Sequence, residues 1–259
     1  MSLPFLSAEH LEAFILVLLR VSALVVTIPV ISDKAVPARF KAALCILISL
    51  IIFPLVLSKI PPASNYPVLI LMYRMAGEVM IGLIIGFAAR FILAGIQMAG
   101  DIIGFQMGLS IANVIDPTTS TQVSIITELQ YLVALLIFLA VDAHHIFFSA
   151  IIQSYSLLNP LAFHFSGSLM QAIFSFSQEM FVIAVKLAAP IMAVMLFTNV
   201  GLGIVARTVP QINIFIVGMP LQIAIGLIFL GLTAPMFVKL TQGYFLDFES
   251  KLVTLLRLM

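Results

Sequence analysis

The side chains best suited to chemistry come together in the run Asp142-Ala143-His144-His145. On a helix, Asp142 and His145 lie three residues apart and share a face, whereas His144 points elsewhere. Aspartate and histidine can relay protons or bind a divalent metal. A metal site would need further ligands, and none is apparent in the neighbouring sequence. The spacing therefore favours a structural, hydrogen-bonded pair of Asp142 and His145, with a proton relay or a metal site as alternatives.

Other ionisable side chains lie inside or close beside long apolar runs. These positions are Arg20, Arg74, Glu78, Arg90, Asp101, Asp142, Glu179, Lys186 and Arg207. An Arg, Lys or Asp at the centre of a membrane helix costs about 2.5–3.5 kcal/mol on insertion scales, so lipid cannot surround them all. Arg74 and Glu78 share a helix face and can pair locally. We predict buried polar groups, with partners in protein or water, at Arg20, Arg74, Glu78, Asp142, His145, Glu179 and Lys186.

The composition is that of a membrane protein. Of the 259 residues, 63% are hydrophobic and 9% are charged, and the mean hydropathy is +1.23. A soluble domain is about half apolar and about a quarter charged, so the excess apolar surface must face lipid or other subunits. The net charge of +1 offers no basic face for nucleic acid. The chain has no phosphate-binding loop, zinc-ligand spacing or nucleophile–base set, so we predict no enzyme activity, cofactor or metal.

The elements that must position these residues are apolar helices. Hydrophobic runs predict helices at about 11–31, 42–58, 67–100, 123–141, 143–163, 171–198 and 211–238, which form one all-α, polytopic domain. The first run lacks a preceding Lys or Arg and is expected to be retained rather than cleaved. The pairs Gly82/Gly86 and Gly100/Gly104 predict close helix packing. Cys45, the one cysteine, lies in an apolar run and is expected to act as a small buried hydrophobe.

Residues 104–122 form an unusual segment that mixes glycines, bulky apolar residues and hydrogen-bonding groups without a helical stripe. Pro117 disfavours helix at Asp116. Irregular backbone cannot face hydrocarbon, because its N–H and C=O groups would lack partners. A surface loop would carry more charge and fewer large apolar residues. We therefore expect this segment to lie in a lumen lined by protein.

Short motifs occur in a specific order along nearly the whole chain. They are Arg20…Pro29, Val36-Pro37…Lys41, Gly82…Gly86-Phe87, Gln97-Met98-Ala99-Gly100, Gln106-Met107-Gly108, Asp116-Pro117, Asp142-Ala143-His144-His145 and Ser154…Pro160. The most specific run is Ala189-Pro190…Asn199…Leu202-Gly203…Arg207…Pro210-Gln211-Ile212-Asn213…Phe215…Gly218…Pro220. Together they resemble the FliR family of flagellar export-gate proteins, which is related to a subunit of virulence type III secretion systems. Ala143 departs from the family pattern, which has Gly between Asp and His.

The resemblance implies a subunit of a pore-enclosing gate in the bacterial inner membrane, at the flagellar basal body. In that family one copy joins about five FliP and about four FliQ copies. Further partners would be FlhB-like and FlhA-like export proteins and the unfolded export substrates, with lipid only at the periphery. Residues 1–165 would form a FliP-like part. Residues 166–259 would form a FliQ-like hairpin, of helices 171–198 and 211–238, and a C-terminal tail.

The resemblance also assigns roles to two segments. A plug that closes the pore would map to about 106–122, including Gln106, Met107, Gly108, Leu109, Ser110, Ile111, Asn113, Val114, Ile115, Asp116 and Pro117. Gly104 and Gly108 would let its backbone bend, while Gln106, Asn113 and Thr118 would supply hydrogen bonds. The hairpin connector would form a subunit interface at the cytosolic entrance through Arg207, Pro210, Gln211 and Asn213. The simpler interpretation of the connector is a loop that ends a helix.

The leading hypothesis is a non-enzymatic component of a protein export channel. A small-solute or ion transporter is the alternative, because transporters also have broken helices and intramembrane charges. Against a transporter, the sequence has no detectable inverted repeat. A membrane-embedded enzyme is a third possibility, but only the Asp142/His145 pair offers it any chemistry.

Overall fold

The computed structural model of the chain describes residues 8–29, 31–33, 36–60, 67–109, 124–158, 166–209, 211 and 213–259. Within these ranges the chain is helical and contains no strand, which confirms the predicted all-α class. The helices are α1 (Ala8–Thr27), α2 (Ala38–Val56) with a 3₁₀ turn (Leu57–Lys59), α3 (Val68–Gln106), α4 (Ile125–Ala140), α5 (Ala143–Leu157), α6 (Gly167–Thr208) and α7 (Ile214–Leu258).

Most of these helices have the length and composition of membrane spans. In the described residues, α1, α2, α3, α6 and α7 each contain an apolar stretch long enough to cross a bilayer. The shorter α4 and α5 make a sixth candidate when they are taken together as one broken span. The predicted membrane class is therefore confirmed.

The last two helices are much longer than the sequence predicts. The predicted connector at 198–211 is wrong over most of its length, because α6 continues to Thr208. The predicted end of the last helix at 238 is also wrong, because α7 continues to Leu258 through Pro220 and Pro235. The last turns of α7 carry polar residues on one face and a buried apolar stripe on the other, formed by Phe245, Phe248, Leu252, Leu255 and Leu256. That spacing of three and four residues is typical of an amphipathic helix, which a search for uniformly apolar runs misses.

The described residues divide into two compact units. Unit 1 comprises Met1–Phe91, Asp142–Phe176 and Leu246–Met259, and unit 2 comprises Ile92–Val141 and Ser177–Phe245. α3, α6 and α7 each contribute residues to both units.

Unit 1 is held together by contacts between helices that are distant in sequence. The rings of Phe147 in α5 and Phe248 in α7 lie 5.9 Å apart. The Ser166 hydroxyl accepts a hydrogen bond from Leu169 N–H, which caps the start of α6, and donates to the carbonyl of Leu258. These contacts bring the end of the chain back to unit 1.

Unit 2 contains a close approach of two helices. A Cβ built on Gly95 of α3 would lie 2.7 Å from the carbonyl oxygen of Met180 and 3.0 Å from Ile183 Cβ in α6. The T-shaped pair of Phe138 in α4 and Phe245 in α7, with centroids 5.3 Å apart, fills another part of the same unit. Only glycine allows the backbones of α3 and α6 to come this close.

Candidate functional site

A buried charged cluster lies between α1, α3 and α5 in unit 1. Arg20 donates two hydrogen bonds to Glu78, from Nε to Oε2 at 2.5 Å and from Nη2 to Oε1 at 2.9 Å. Both side chains are 0% exposed. Paired, two-point contact is the geometry in which a guanidinium and a carboxylate can share a dry site. Each charged group therefore takes the place of the water molecules that the other has lost on burial.

The remaining surface of the Arg20 guanidinium is also covered. Nη1 donates to Ser154 Oγ at 2.6 Å, and Ser154 in turn donates to the carbonyl of Ile151. The guanidinium carbon lies 3.7 Å from the centroid of the Tyr155 ring, a cation–π contact. The Tyr155 hydroxyl donates to Glu78 Oε2 at 3.3 Å. Four side chains from three helices therefore form one closed network that holds α1, α3 and α5 together.

The sequence predicts a local pair of Arg74 and Glu78, and the structure gives partners on another helix. Glu78 pairs with Arg20 of α1, and Arg74 Nη1 donates to Glu12 Oε1 of α1 at 3.0 Å. A spacing of four residues puts two side chains on one face without deciding whether they meet. Here the facing helix α1 supplies a group of opposite charge to each of them.

The contact of α3 with α1 follows one row of α3 residues spaced by four. A Cβ on Gly82 would lie 2.5 Å from the Arg20 carbonyl oxygen, and a Cβ on Gly86 would overlap Oγ1 and Cβ of Thr27. The predicted close packing at Gly82 and Gly86 is therefore confirmed. At the end of the row, Arg90 donates from Nε to the carbonyl of Thr27 at 3.0 Å. Along this contact, residues of increasing number in α3 meet residues of increasing number in α1, so the two helices run parallel.

Arg90 also explains how α1 ends. The last four carbonyls of a helix lack partners within it. Arg90 donates to the carbonyls of Val26 and Thr27, which belong to this last turn. Pro29 follows shortly after, and because it has no N–H it cannot continue the helix. A cation at this end also interacts favourably with the helix dipole.

The other residues predicted to be buried behave differently. Arg20, Arg74 and Glu78 are buried as predicted. Glu179 is half-buried, whereas Lys186, Asp142 and His145 are exposed in this chain. Lys186 lies on a part of α6 whose apolar neighbour Val185 is also exposed. The exposed positions therefore belong to surfaces that the described residues leave uncovered. Cys45 is buried and unpaired, as expected.

The run Asp142–His145 differs from the predicted pair. No side-chain hydrogen bond joins Asp142 to His145, although the backbone N–H of His145 donates to the Asp142 carbonyl. Asp142 has φ of 54° and lies outside α5, which begins at the next residue. Helical spacing therefore does not apply to it. As a result the expectation that His144 points elsewhere is wrong, because one ligand atom from each of Asp142, His144 and His145 lies within 4.8 Å of the others.

The segment expected to form the plug begins with a regular helix end. Gly108, with φ of 80°, follows α3 in the left-handed region that favours glycine. Gly108 N–H donates to the Phe105 carbonyl and Leu109 N–H to the Gly104 carbonyl, which together make a Schellman motif. The predicted bend is thus present at Gly108. At Gly104 the prediction is wrong, because that residue is helical.

Both flanks of this segment are held within unit 2. Met107 is 0% exposed and packs on Gly226 of α7, where an added Cβ would lie 2.6 Å from Met107 Cγ. On the other side, Thr127 of α4 donates to Asp101 Oδ1 of α3 at 2.6 Å, and its Cα would lie 2.5 Å from a Cβ on Gly100. Gln106 ends α3. The other expected plug residues lie outside the described residues: Ser110, Ile111, Asn113, Val114, Ile115, Asp116 and Pro117.

The connector between α6 and α7 is exposed. Arg207 lies in the last turn of α6, where its charge complements the helix dipole, and Gln211 and Asn213 are exposed beyond it. Pro210 lies outside the described residues. The Thr208 hydroxyl donates to carbonyls of its own helix. The arrangement fits both the helix-end and the interface interpretation.

Sequence reasoning missed the polar partners of the network and of the helix junction. Ser154, Tyr155 and Thr127 lie in apolar helices where single hydroxyl groups are common, and no spacing links them to Arg20 or Asp101. A signal was available in α3, where Arg74, Glu78, Gly82, Gly86 and Arg90 recur every four residues. Such a row occupies one continuous stripe of a helix.

Comparison with known proteins agrees with this architecture. Residues 11–248 match the family described as Bacterial export proteins, family 1. The chain is 40% identical to the flagellar biosynthetic protein FliR of Bacillus subtilis over 224 residues, which cover 84% of each chain. It is 33% identical to FliR of Caulobacter vibrioides, covering 88% of this chain and 91% of that protein, and 29% identical to FliR of Escherichia coli, covering 92% and 90%. The chain therefore belongs to the FliR family of bacterial export proteins, and its place is in the export apparatus of the flagellum.

Proposed function

We propose that this chain is a non-enzymatic subunit of an export channel in the inner membrane, built with FliP-like and FliQ-like subunits and passing unfolded substrates. The supporting observation is the uncovered apolar surface of α6 and α7. The most apolar stretch of α7 is 11% buried and that of α6 is 33% buried, against 61% for α3. Surfaces this apolar require lipid or other protein.

The exposed charge on α6 favours protein or water over lipid alone. Lys186 is exposed between apolar residues of α6, and an unpaired Lys at the centre of a membrane helix costs about 2.5–3.5 kcal/mol. Neighbouring subunits or an aqueous pore can supply its partners. A lone transporter would instead be expected to cover such a charge within its own chain.

Photocrosslinking tests the subunit contacts with a control that the chain itself provides. A crosslinking residue at Phe197, which is 75% exposed, should give adducts with FliQ-like or FliP-like subunits. The same residue at Met195, which is 0% exposed, should give adducts only within the chain. Adducts with lipid alone at Phe197 and at Leu232, which is 68% exposed, would count against a multi-subunit channel.

The plug is the second part of the proposal. Residues on either side of 110–123 are held in place, since Met107 packs on Gly226 and Thr127 donates a hydrogen bond to Asp101. A segment whose two ends are fixed is suited to closing a pore as a plug. Deleting residues 110–119 should raise the leakage of ions or small solutes through membranes that contain the assembled complex. Ser175→Ala, at an exposed position outside this segment, is the control and should leave the leakage unchanged. Unchanged conductance after the deletion would remove the plug from the proposal.

The third part concerns the connector, which we assign to the channel entrance and to contact with FliQ-like and FlhB-like partners. Arg207, Gln211 and Asn213 offer an exposed polar surface at one end of two exposed apolar helices. Crosslinks from Thr208 should reach one of these partners in the assembled apparatus. If crosslinks from Thr208 reach neither a FliQ-like nor an FlhB-like partner, the connector is only the loop that ends α6.

A further inference from the structure

We propose that Asp142, His144 and His145 bind one divalent metal ion of the Zn²⁺ class. Asp142 directly precedes α5 and the two histidines lie in its first turn, and one ligand atom from each of the three lies within 4.8 Å of the others. Two imidazole nitrogens and a carboxylate oxygen form a common donor set for Zn²⁺. The proposal is independent of the export channel and of its partners.

The geometry needs only small side-chain movements to form a site. Donors around a tetrahedral Zn²⁺ with bonds of about 2.0–2.1 Å lie about 3.4 Å apart. The present separations, all within 4.8 Å, exceed this value by no more than about 1.4 Å. Asp142 and His145 are exposed, so rotation about their side-chain bonds can close this distance.

The donor atoms are not used elsewhere among the described residues. An Asp that precedes a helix commonly accepts a hydrogen bond from the N–H groups of the first turn, but Asp142 makes no such cap. Nδ1 of His144 is buried and has no hydrogen-bond partner. The rings of His144 and His145 meet edge to face with centroids 4.3 Å apart, which brings both imidazoles to one place. Nδ1 is one of the two ring nitrogens through which His144 could bind a metal, and a metal bound there would give it the partner that it lacks.

The ligand set also determines which ions fit. Mixed nitrogen and oxygen donors suit Zn²⁺, Co²⁺ or Ni²⁺, whereas Mg²⁺ and Ca²⁺ prefer oxygen ligands. One carboxylate leaves a formal charge of about +1 on the bound ion, and three ligands leave a fourth position open. Water, an anion or a side chain from another subunit can occupy that position.

Metal titration of the purified full-length chain in detergent, after removal of metal with a chelator, tests the proposal. Zn²⁺ should bind with one equivalent per chain by calorimetry, and Co²⁺ should give the d–d absorption of a four-coordinate site. Excess Mg²⁺ should not compete. Asp142→Asn and His144→Ala should each weaken Zn²⁺ binding by at least about tenfold, since even partners outside the ligand shell change affinity by this much. His10→Ala, a histidine of α1 in the same unit, should leave binding unchanged.

Two results would overturn the site. One is a Co²⁺ signal that persists in the Asp142→Asn/His144→Ala double variant. The other is equal loss of Zn²⁺ binding in His10→Ala, which would indicate general histidine affinity. If His144→Ala does not fold, as judged by circular dichroism, the exposed positions give the answer through Asp142→Asn and His145→Gln. Full Zn²⁺ affinity in both of those variants would also refute the site.

Discussion

Removing one partner of the buried Arg20–Glu78 pair should cost far more stability than removing both. Glu78→Met leaves the Arg20 guanidinium with Ser154 and Tyr155 but without the carboxylate that takes two of its hydrogen bonds. Arg20→Met leaves the Glu78 carboxylate with only the Tyr155 hydroxyl among these partners. Each single variant therefore retains one charge in a site that is 0% exposed.

The size of the effect follows from burial. Breaking a buried ion pair costs about 3–5 kcal/mol, because the remaining charge is left without compensation. Replacing both members by apolar residues of similar volume is often neutral. Methionine is flexible enough to fill both places. The Arg20→Met/Glu78→Met variant should thus be more stable than either single variant, with a coupling energy of at least about 3 kcal/mol.

Reversible unfolding in mixed micelles, followed by helical circular dichroism, measures the four free energies of unfolding in this cycle. Ser175→Ala, an exposed position in unit 1, serves as the control and should change stability by less than about 0.5 kcal/mol. The reasoning is refuted if the double variant loses the sum of the two single losses. That result would mean that each side chain stabilises the fold through its own packing rather than through the pair.

Two further predictions concern helix contacts. Gly86→Ala forces a Cβ against Thr27 and should destabilise the chain by about 1–3 kcal/mol. The control Gly203→Ala, where an added Cβ has nothing within 4 Å, should be neutral or stabilise the chain by up to about 1 kcal/mol. Equal effects of the two substitutions on the free energy of unfolding would contradict the close approach of α3 to α1. Thr127→Val removes the 2.6 Å hydrogen bond to Asp101 and should lower stability by about 0.5–1.5 kcal/mol, with faster amide hydrogen exchange in the first turns of α4. Unchanged exchange there would show that the bond does not hold α4 to α3.

The fold class and the approximate positions of the described helices can be read from the sequence, because they depend on local composition. Uniformly apolar runs locate the helices, and glycine pairs such as Gly82/Gly86 locate a close contact without naming its partner. Helix ends are harder to predict from the sequence, because a helix that packs on one side only can continue through polar residues. The last turns of α7 are of this kind, and their buried Phe248 becomes meaningful only beside Phe147.

Partners of charged residues are harder to predict than their burial. Insertion cost alone indicates that Arg20 and Glu78 need partners, but the two lie 58 residues apart, and spacing points only to a nearby residue such as Arg74. The position of Asp142 relative to His144 depends on the left-handed backbone of Asp142, which the sequence does not reveal, because no glycine stands there. Long-range contacts and unusual backbone angles are both set by the folded chain, so single-sequence patterns do not contain them.

The row of α3 residues that faces α1 suggests that packing and charge pairing act together. Glu78 and Gly86 lie eight residues, or about 12 Å, apart on α3, a distance at which independent substitutions usually add. If Gly86→Ala pushes α1 away from α3 as a body, it also weakens the Arg20–Glu78 pair. The Glu78→Gln/Gly86→Ala variant should then lose at least about 0.5 kcal/mol less stability than the sum of the two single losses, measured by unfolding in mixed micelles. Simple additivity would instead mean that α1 bends locally at Thr27 and that the charged pair does not depend on the glycine contact.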